Sequence, residues 1–251
     1  MHDLPEHDWV TLDFGVTALG ASFHSDWILQ ADDRRDHLNH LYQPEGDPTP
    51  VLLLIEDLLR LRDSGLSGTE IDLLWQSTDV ALGVPGIAGE EREWSDEVLA
   101  WAVPLAQGRG ARTDSVTTYP ACVPDGPSSA AAAHRRLTNQ VLDLVELLSQ
   151  DGAGDTPLDA TRAALRRCAS TVCSELAFRF LISALMRFAV RLSPLHYGRM
   201  ERLGASFGYG PHVVDAAAYH RPPARPRAPR IRRSFVVPEQ KHPSSCLRRT
   251  G

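Results

Sequence analysis

The sequence predicts an all-α protein, built as two small helical domains or one helical array and followed by a disordered basic tail. Apolar residues recur at helical spacing in several segments, and 43% apolar content is enough for a sizeable core. Residues that favour helix N-termini precede several of these segments. After His220 the chain becomes rich in arginine and proline and poor in apolar residues, which is typical of disorder.

The first predicted domain, residues 1–105, contains the clearest helix. Residues 51–63 read VLLLIEDLLRLRD, in which apolar side chains follow the helical period. Glu56 and Arg60 are spaced for a favourable (i, i+4) ion pair. Gly65 follows where a C-cap glycine commonly stands, so we expect the helix to end there.

Two further helix starts are predicted in the same domain. Ser67 and Glu70 have the spacing of a capping box, in which each side chain bonds the other residue's backbone. Ser95 predicts a third start, because two acidic residues follow it in the first turn. Residues 12–42 contain no turn-rich break and predict one or two helices.

Residues 106–133 are predicted to be a linker, because Gly, Pro, Ser and Thr are dense there and no period is sustained. A second helical domain is expected over 134–220, with helix starts at Thr156 and Ser193, each followed by proline. Gly204 is expected to end a helix. Residues 221–251 are the predicted disordered tail.

Residues 171–192 predict a central helix of a bundle. Its polar residues recur every four positions, which places them on one stripe of an otherwise apolar helix. We expect this stripe to face water. Its members are Glu175, Arg179, Ser183, Arg187 and Arg191.

Charge is distributed very unevenly along the chain. Residues 1–105 carry 21 acidic side chains and five arginines, whereas 106–220 carry ten acids and 12 arginines. The tail carries nine Lys or Arg side chains and one acid, Glu239. Such separation indicates different roles for the three parts.

No motif predicts catalysis, a metal or a cofactor. The four cysteines do not have zinc-site spacing, and the His24/Asp26 and His37/His40 pairs match no established ligand motif. We therefore expect no catalytic, metal-binding or cofactor-binding residue. The polar N-terminus and the lack of an uncharged apolar run of about 18 residues favour a soluble, cytoplasmic protein without a membrane partner.

An acidic cluster surrounds two tryptophans near the end of the first predicted domain. Solvated charge at a helix start would explain it. It would also suit a surface that binds a basic protein, with aromatic anchors inside a negative rim. The residues of this candidate surface are Glu90, Glu91, Glu93, Trp94, Asp96, Glu97 and Trp101.

Residues 23–27, FHSDW, resemble the F-H-x-D-W signature of immunity proteins from bacterial contact-dependent growth inhibition systems. The likeness continues in register through the helix after it, the segment 63–67, the turn 83–85, and the two tryptophans of the acidic cluster. It covers about residues 10–105. The motif residues, with either a structural or a binding role, are Phe23, His24, Asp26 and Trp27.

The resemblance implies a non-enzymatic helical protein that binds and neutralises a cognate toxin domain. The acidic charge of residues 1–105 fits a basic toxin independently of the resemblance. A helical adaptor or regulator whose basic tail contacts nucleic acid is the alternative from another class. The tail has few aromatic residues for stacking on bases, with only Phe235, so nucleic acid is the less favoured partner.

Overall fold

The computed structural model describes residues 13–78, 92–111, 129–148, 156–210 and 212–220. All regular structure within these ranges is helical, which confirms the predicted all-α class. No helix within these ranges is both long and apolar enough to cross a membrane. The predicted tail, 221–251, lies outside the described residues.

Nine α-helices follow one another in the described ranges. The first five are α1 (Gly15–Ser22), α2 (Arg34–Leu41), α3 (Thr49–Arg62), α4 (Gly68–Gln76) and α5 (Arg92–Gly108). The other four are α6 (Ser129–Val145), α7 (Thr156–Arg167), α8 (Ser174–Arg187) and α9 (Pro194–Ser206). Short 3₁₀ turns occur at Trp27–Leu29, Glu146–Leu148 and Asp215–His220, and a π-helical turn at Cys168–Val172 joins α7 to α8.

The local capping signals are accurate guides to several helix ends. Ser67 and Glu70 form both bonds of the predicted capping box at the start of α4. The Ser193 side chain accepts a hydrogen bond from the His196 amide at the start of α9. The predicted start of α5 at Ser95 is wrong, because the helix already begins at Arg92.

The predicted helix end at Gly204 is also wrong, since α9 continues to Ser206. A Cβ at Gly204 would lie 3.0 Å from Cγ2 of Val214, so this glycine permits close packing inside the helix. Gly208, with φ of +80°, occupies the left-handed conformation just beyond the helix.

One apolar core contains residues from both predicted domains. Helix α4 packs against α7, and the Arg167 guanidinium bonds the Glu70 carboxylate at 3.0 Å and the Gly65 carbonyl at 2.7 Å. The predicted linker, 106–133, overlaps the end of α5 and the start of α6. Because the hydrophobic core contains side chains from both 1–105 and 134–220, the two predicted domains have one common core.

The polar stripe of α8 does not lie along a water-facing edge, contrary to the sequence-based expectation. Glu175 and Arg179 are buried, with 6% and 1% of their surface exposed, whereas Arg187 is exposed. The predicted helix over 171–192 is also too long, because α8 runs only from Ser174 to Arg187 and the exposed Arg191 lies beyond it. The stripe therefore starts inside the protein and reaches solvent only at its C-terminal end. Its buried half needs charged partners from other helices.

Those partners come from α3 and form a buried ion network of Asp57, Arg60, Glu175 and Arg179. The Arg179 guanidinium donates to both Asp57 oxygens, at 2.7 and 2.8 Å, and to Glu175 at 2.7 Å. Arg60 donates to Glu175 at 3.2 Å, and the Tyr209 hydroxyl donates to the same carboxylate at 2.5 Å. Bidentate geometry of this kind offsets the desolvation of the charges.

The N-terminus of α1 is attached to the same network. The Val16 amide donates to Asp57 at 3.0 Å, and Arg179 donates to the Phe14 carbonyl at 2.9 Å. Gly15 between them has a φ of +62°, and a Cβ there would lie 1.9 Å from an Asp57 carboxylate oxygen. Only glycine allows the backbone to approach the carboxylate this closely.

We predict that Gly15→Ala lowers the free energy of unfolding by at least ~2 kcal/mol, because it combines left-handed strain with a clash against the buried network. Gly65→Ala is the matched control, since Gly65 has open space around its Cβ position. The measurement is urea unfolding followed by circular dichroism. Equal stability of the two variants would contradict this account of α1.

Acid should unfold the protein through the buried ion network. Burial disfavours the Glu175 carboxylate, but Arg179 and Arg60 overcome that penalty and lower its pKa from 4.5 to about 2. Since the pKa is depressed in the folded state, the stabilisation is complete above pH 4.5 and is lost as the pH falls towards 2.

We expect the urea midpoint to fall steeply over this pH range and to fall less steeply in Glu175→Gln. Glu201→Gln, at an exposed position of α9, is the control and should keep the slope of the unchanged protein. An identical slope in the Glu175 variant would contradict the assignment.

Candidate protein-binding face

The FHSDW motif lies between α1 and the 3₁₀ turn Trp27–Leu29, over a cluster of aromatic rings. Phe23 is fully buried at the centre of this cluster. Its ring centroid lies 5.2 Å from Trp27, 5.7 Å from Trp94 and 6.3 Å from Trp75, each in an edge-to-face arrangement. The cluster thus brings the motif next to the N-terminal turn of α5.

His24 and Asp26 face solvent rather than the aromatic cluster. The Asp26 amide donates to Nδ1 of His24 at 3.2 Å, which closes a local turn. Ser25 donates to the Asp26 carboxylate at 3.3 Å. His24 and Asp26 therefore do not form a buried hydrogen bond beneath the aromatic rings. Phe23 serves the core, while His24 and Asp26 lie at the surface.

The turn after the motif exposes two large apolar side chains. Ile28 is 64% exposed and Leu29 is 81% exposed, and no residue of the turn is buried. Sequence reasoning missed this apolar tip, although Ile28 and Leu29 directly follow the motif. Solvent-exposed apolar side chains beside a fixed turn are available for contact with another protein.

His37 of α2 is buried next to the motif. It is 3% exposed, packs on Phe23 at 4.6 Å between ring centroids, and bonds Ser22 through Nε2 at 3.0 Å. Burial lowers its pKa below the ordinary value of 6.5, and the nearby His24 and His40 lower it further. The lowered pKa favours the neutral imidazole at this buried position.

Trp94 and Trp101 do not present aromatic anchors at the surface. They are only 3% and 7% exposed, so their predicted place within the candidate surface is corrected to a core role. Trp94 packs on Trp75 and Phe23. Trp101 packs on Tyr42 and donates from its indole nitrogen to Asn39 at 3.1 Å, which joins α5 to α2.

The acidic residues of the candidate surface do not all lie on the same side of α5. Asp96 and Glu97 are both exposed on α5, but Asp96 interacts with Arg62 of α3, whereas Glu97 lines a cleft towards α2. Glu93 lies in the first turn of α5. Glu90 and Glu91 lie outside the described residues.

The cleft between α2 and α5 has a volume of about 350 Å³. Arg34 of α2 and its N-cap residue Asp33 line one side of the cleft, and Glu97 and Trp94 of α5 line the other. The Arg34 guanidinium lies 5.7 Å from the centre of the Trp94 ring. Both a carboxylate and a guanidinium are thus available to a partner in one shallow depression.

We call the cleft and the apolar tip together the acidic face. Trp27, in the same turn as the tip, packs on His37 of α2, which connects the two parts. Asp33 and Glu97 line the cleft together with Arg34 and Arg35, so the acids and arginines of the cleft are equal in number. The further acids Asp26, Asp32 and Asp36 are sequence neighbours of the tip and of the start of α2, and they make this part of the chain acidic.

The described residues contain no group of three or more His, Cys, Asp or Glu side chains placed to hold a metal ion. The acidic face offers charge, hydrogen bonds and apolar contact, which are the means of protein recognition. No protein-family model, curated protein or solved structure matches the chain.

We predict that the two halves of the motif differ in their effect on stability. Phe23→Ala should cost about 3–5 kcal/mol, because it opens a cavity among packed rings. His24→Ala and Asp26→Ala should each change stability by less than about 0.5 kcal/mol, because both side chains are exposed. Thermal unfolding of the three variants tests this. A large loss in Asp26→Ala would contradict a surface role.

Proposed function

We propose that this protein is an immunity protein, which neutralises a cognate toxin domain by binding it through the acidic face. One observation carries the proposal: the motif turn adjoins a charged cleft and an exposed apolar tip. The resemblance of residues 10–105 to immunity proteins supports the same function. Neutralisation by binding needs no catalytic group in the immunity protein.

The charge of the first 105 residues supports a basic partner. An excess of 16 acidic side chains over that region creates a negative field. Such a field increases the rate of encounter with a basic protein and disfavours acidic ones. Arg34 and Arg35 place positive charges among the carboxylates of the cleft. A partner must therefore complement both signs of charge, and a high positive charge by itself is not sufficient.

The apolar tip takes over the anchoring role that was expected of Trp94 and Trp101. Tight protein complexes depend on a few desolvated apolar side chains inside a polar rim. Ile28 and Leu29 meet this description, because they are exposed, lie on a hydrogen-bonded turn and have acidic neighbours at positions 26 and 32.

Co-expression tests the function. If a toxin gene lies beside this gene, we expect its product to kill cells alone and to be neutralised when this protein is present, whereas unrelated toxins remain lethal. Equal killing with and without verified soluble protein would contradict the proposal. A stable cellular partner in place of a toxin would favour the adaptor alternative.

A substitution in the tip makes the test specific to the acidic face. We expect Leu29→Ser to weaken toxin binding by roughly 30-fold, mainly through faster dissociation, because a central apolar anchor is lost. Leu195→Ser is the matched control, since Leu195 is 69% exposed on α9 and lies on another part of the protein. Surface plasmon resonance with the purified toxin domain measures both. Equal affinities would exclude the tip from the interface.

A further inference from the structure

The C-terminal segment 221–251 has a composition that complements the acidic face. It carries nine basic side chains against one acid, and all but Lys241 are arginines. Guanidinium groups pair with carboxylates in planar, two-bond geometry. The segment also contains an apolar run, Phe235-Val236-Val237, which is separated from the pair Arg232-Arg233 only by Ser234.

The acidic face offers both kinds of contact in adjacent places. Asp33 and Glu97 line the cleft, and Ile28 and Leu29 are exposed in the turn that adjoins it. The cleft is lined by as many acids as arginines, and the excess of negative charge comes from Asp26, Asp32 and Asp36, which neighbour the tip and the start of α2 in the sequence. Residues 106–220, in contrast, carry slightly more arginines than acids, so they offer the segment no comparable attraction.

The length of the segment allows it to reach this face. It follows the 3₁₀ turn Asp215–His220, which packs against α8. The stretch 221–235 can span up to ~50 Å when extended. A compact domain of about 220 residues has a radius of gyration of only ~17 Å, so most of its surface lies within that reach.

We infer that the C-terminal segment binds the acidic face of its own chain, with arginines of 221–233 in the α2–α5 cleft and Phe235 to Val237 against the apolar tip. A basic partner of this face must then displace the segment. The inference uses the same surface as the proposed function but does not depend on it, because it requires no toxin.

A photo-cross-linker in the full-length chain tests the contact. Phe235→p-benzoylphenylalanine is irradiated in dilute protein, and cross-linked peptides are identified by mass spectrometry. We expect internal cross-links to residues 24–38 or 94–100, and their loss between ~0.05 and ~0.5 M NaCl, where exposed charges are screened. Cross-links only to other surfaces, or only between two chains, would overturn the inference.

A charge variant separates specific docking from collapse of a basic segment. Asp33→Asn with Glu97→Gln, added to the cross-linking chain, should reduce the cross-link yield roughly fivefold, the effect expected of two exposed charge pairs. Asparagine preserves the N-cap of α2. Glu45→Gln with Glu201→Gln removes the same charge at exposed positions away from the cleft and is the control. Equal yields in the two double variants would overturn the proposed site.

Discussion

The burial of Arg179 is the constraint on which the rest of the structure depends. A guanidinium that is only 1% exposed requires carboxylates around it, and Asp57 and Glu175 provide them from α3 and α8. Removing any one member would leave the others charged without compensation, at a typical cost of about 3–5 kcal/mol. Helices 122 positions apart in the chain are therefore held in one relative position.

The same constraint positions the candidate binding face. Asp57 and Arg179 hold the first residues of α1. Gly20, in the C-terminal half of α1, packs directly on Trp75 in the last turn of α4 and on Thr78 just beyond it. Because α1 is attached at both places, the motif that follows it begins at a defined point. Phe23 then enters the aromatic cluster, and the turn after it exposes Ile28 and Leu29. A binding surface is more effective when packing holds it in place before the partner arrives.

The sequence predicts the helices well because their signals are local. Ser67 and Glu70, or Ser193 before Pro194, contact residues within one helical turn. The environment of each helix depends instead on distant partners. A stripe such as Glu175 and Arg179 looks the same in sequence whether it faces water or a buried aspartate from another helix. For the same reason, the indoles of the acidic cluster could not be assigned to the core until their neighbours were known.

The motif combines a conformational role with a surface role, and this division allows a binding surface to be both stable and selective. Phe23 contributes apolar packing that any partner would leave untouched, whereas His24, Asp26 and the apolar tip can change at little cost in stability. The side chains that would select a partner are then the ones that make few contacts within the protein. A negative field would speed encounter with any basic molecule, and under our inference with the chain's own C-terminal segment as well. Discrimination would then come from the shape and apolar content of the tip and from the positions of Arg34 and Arg35.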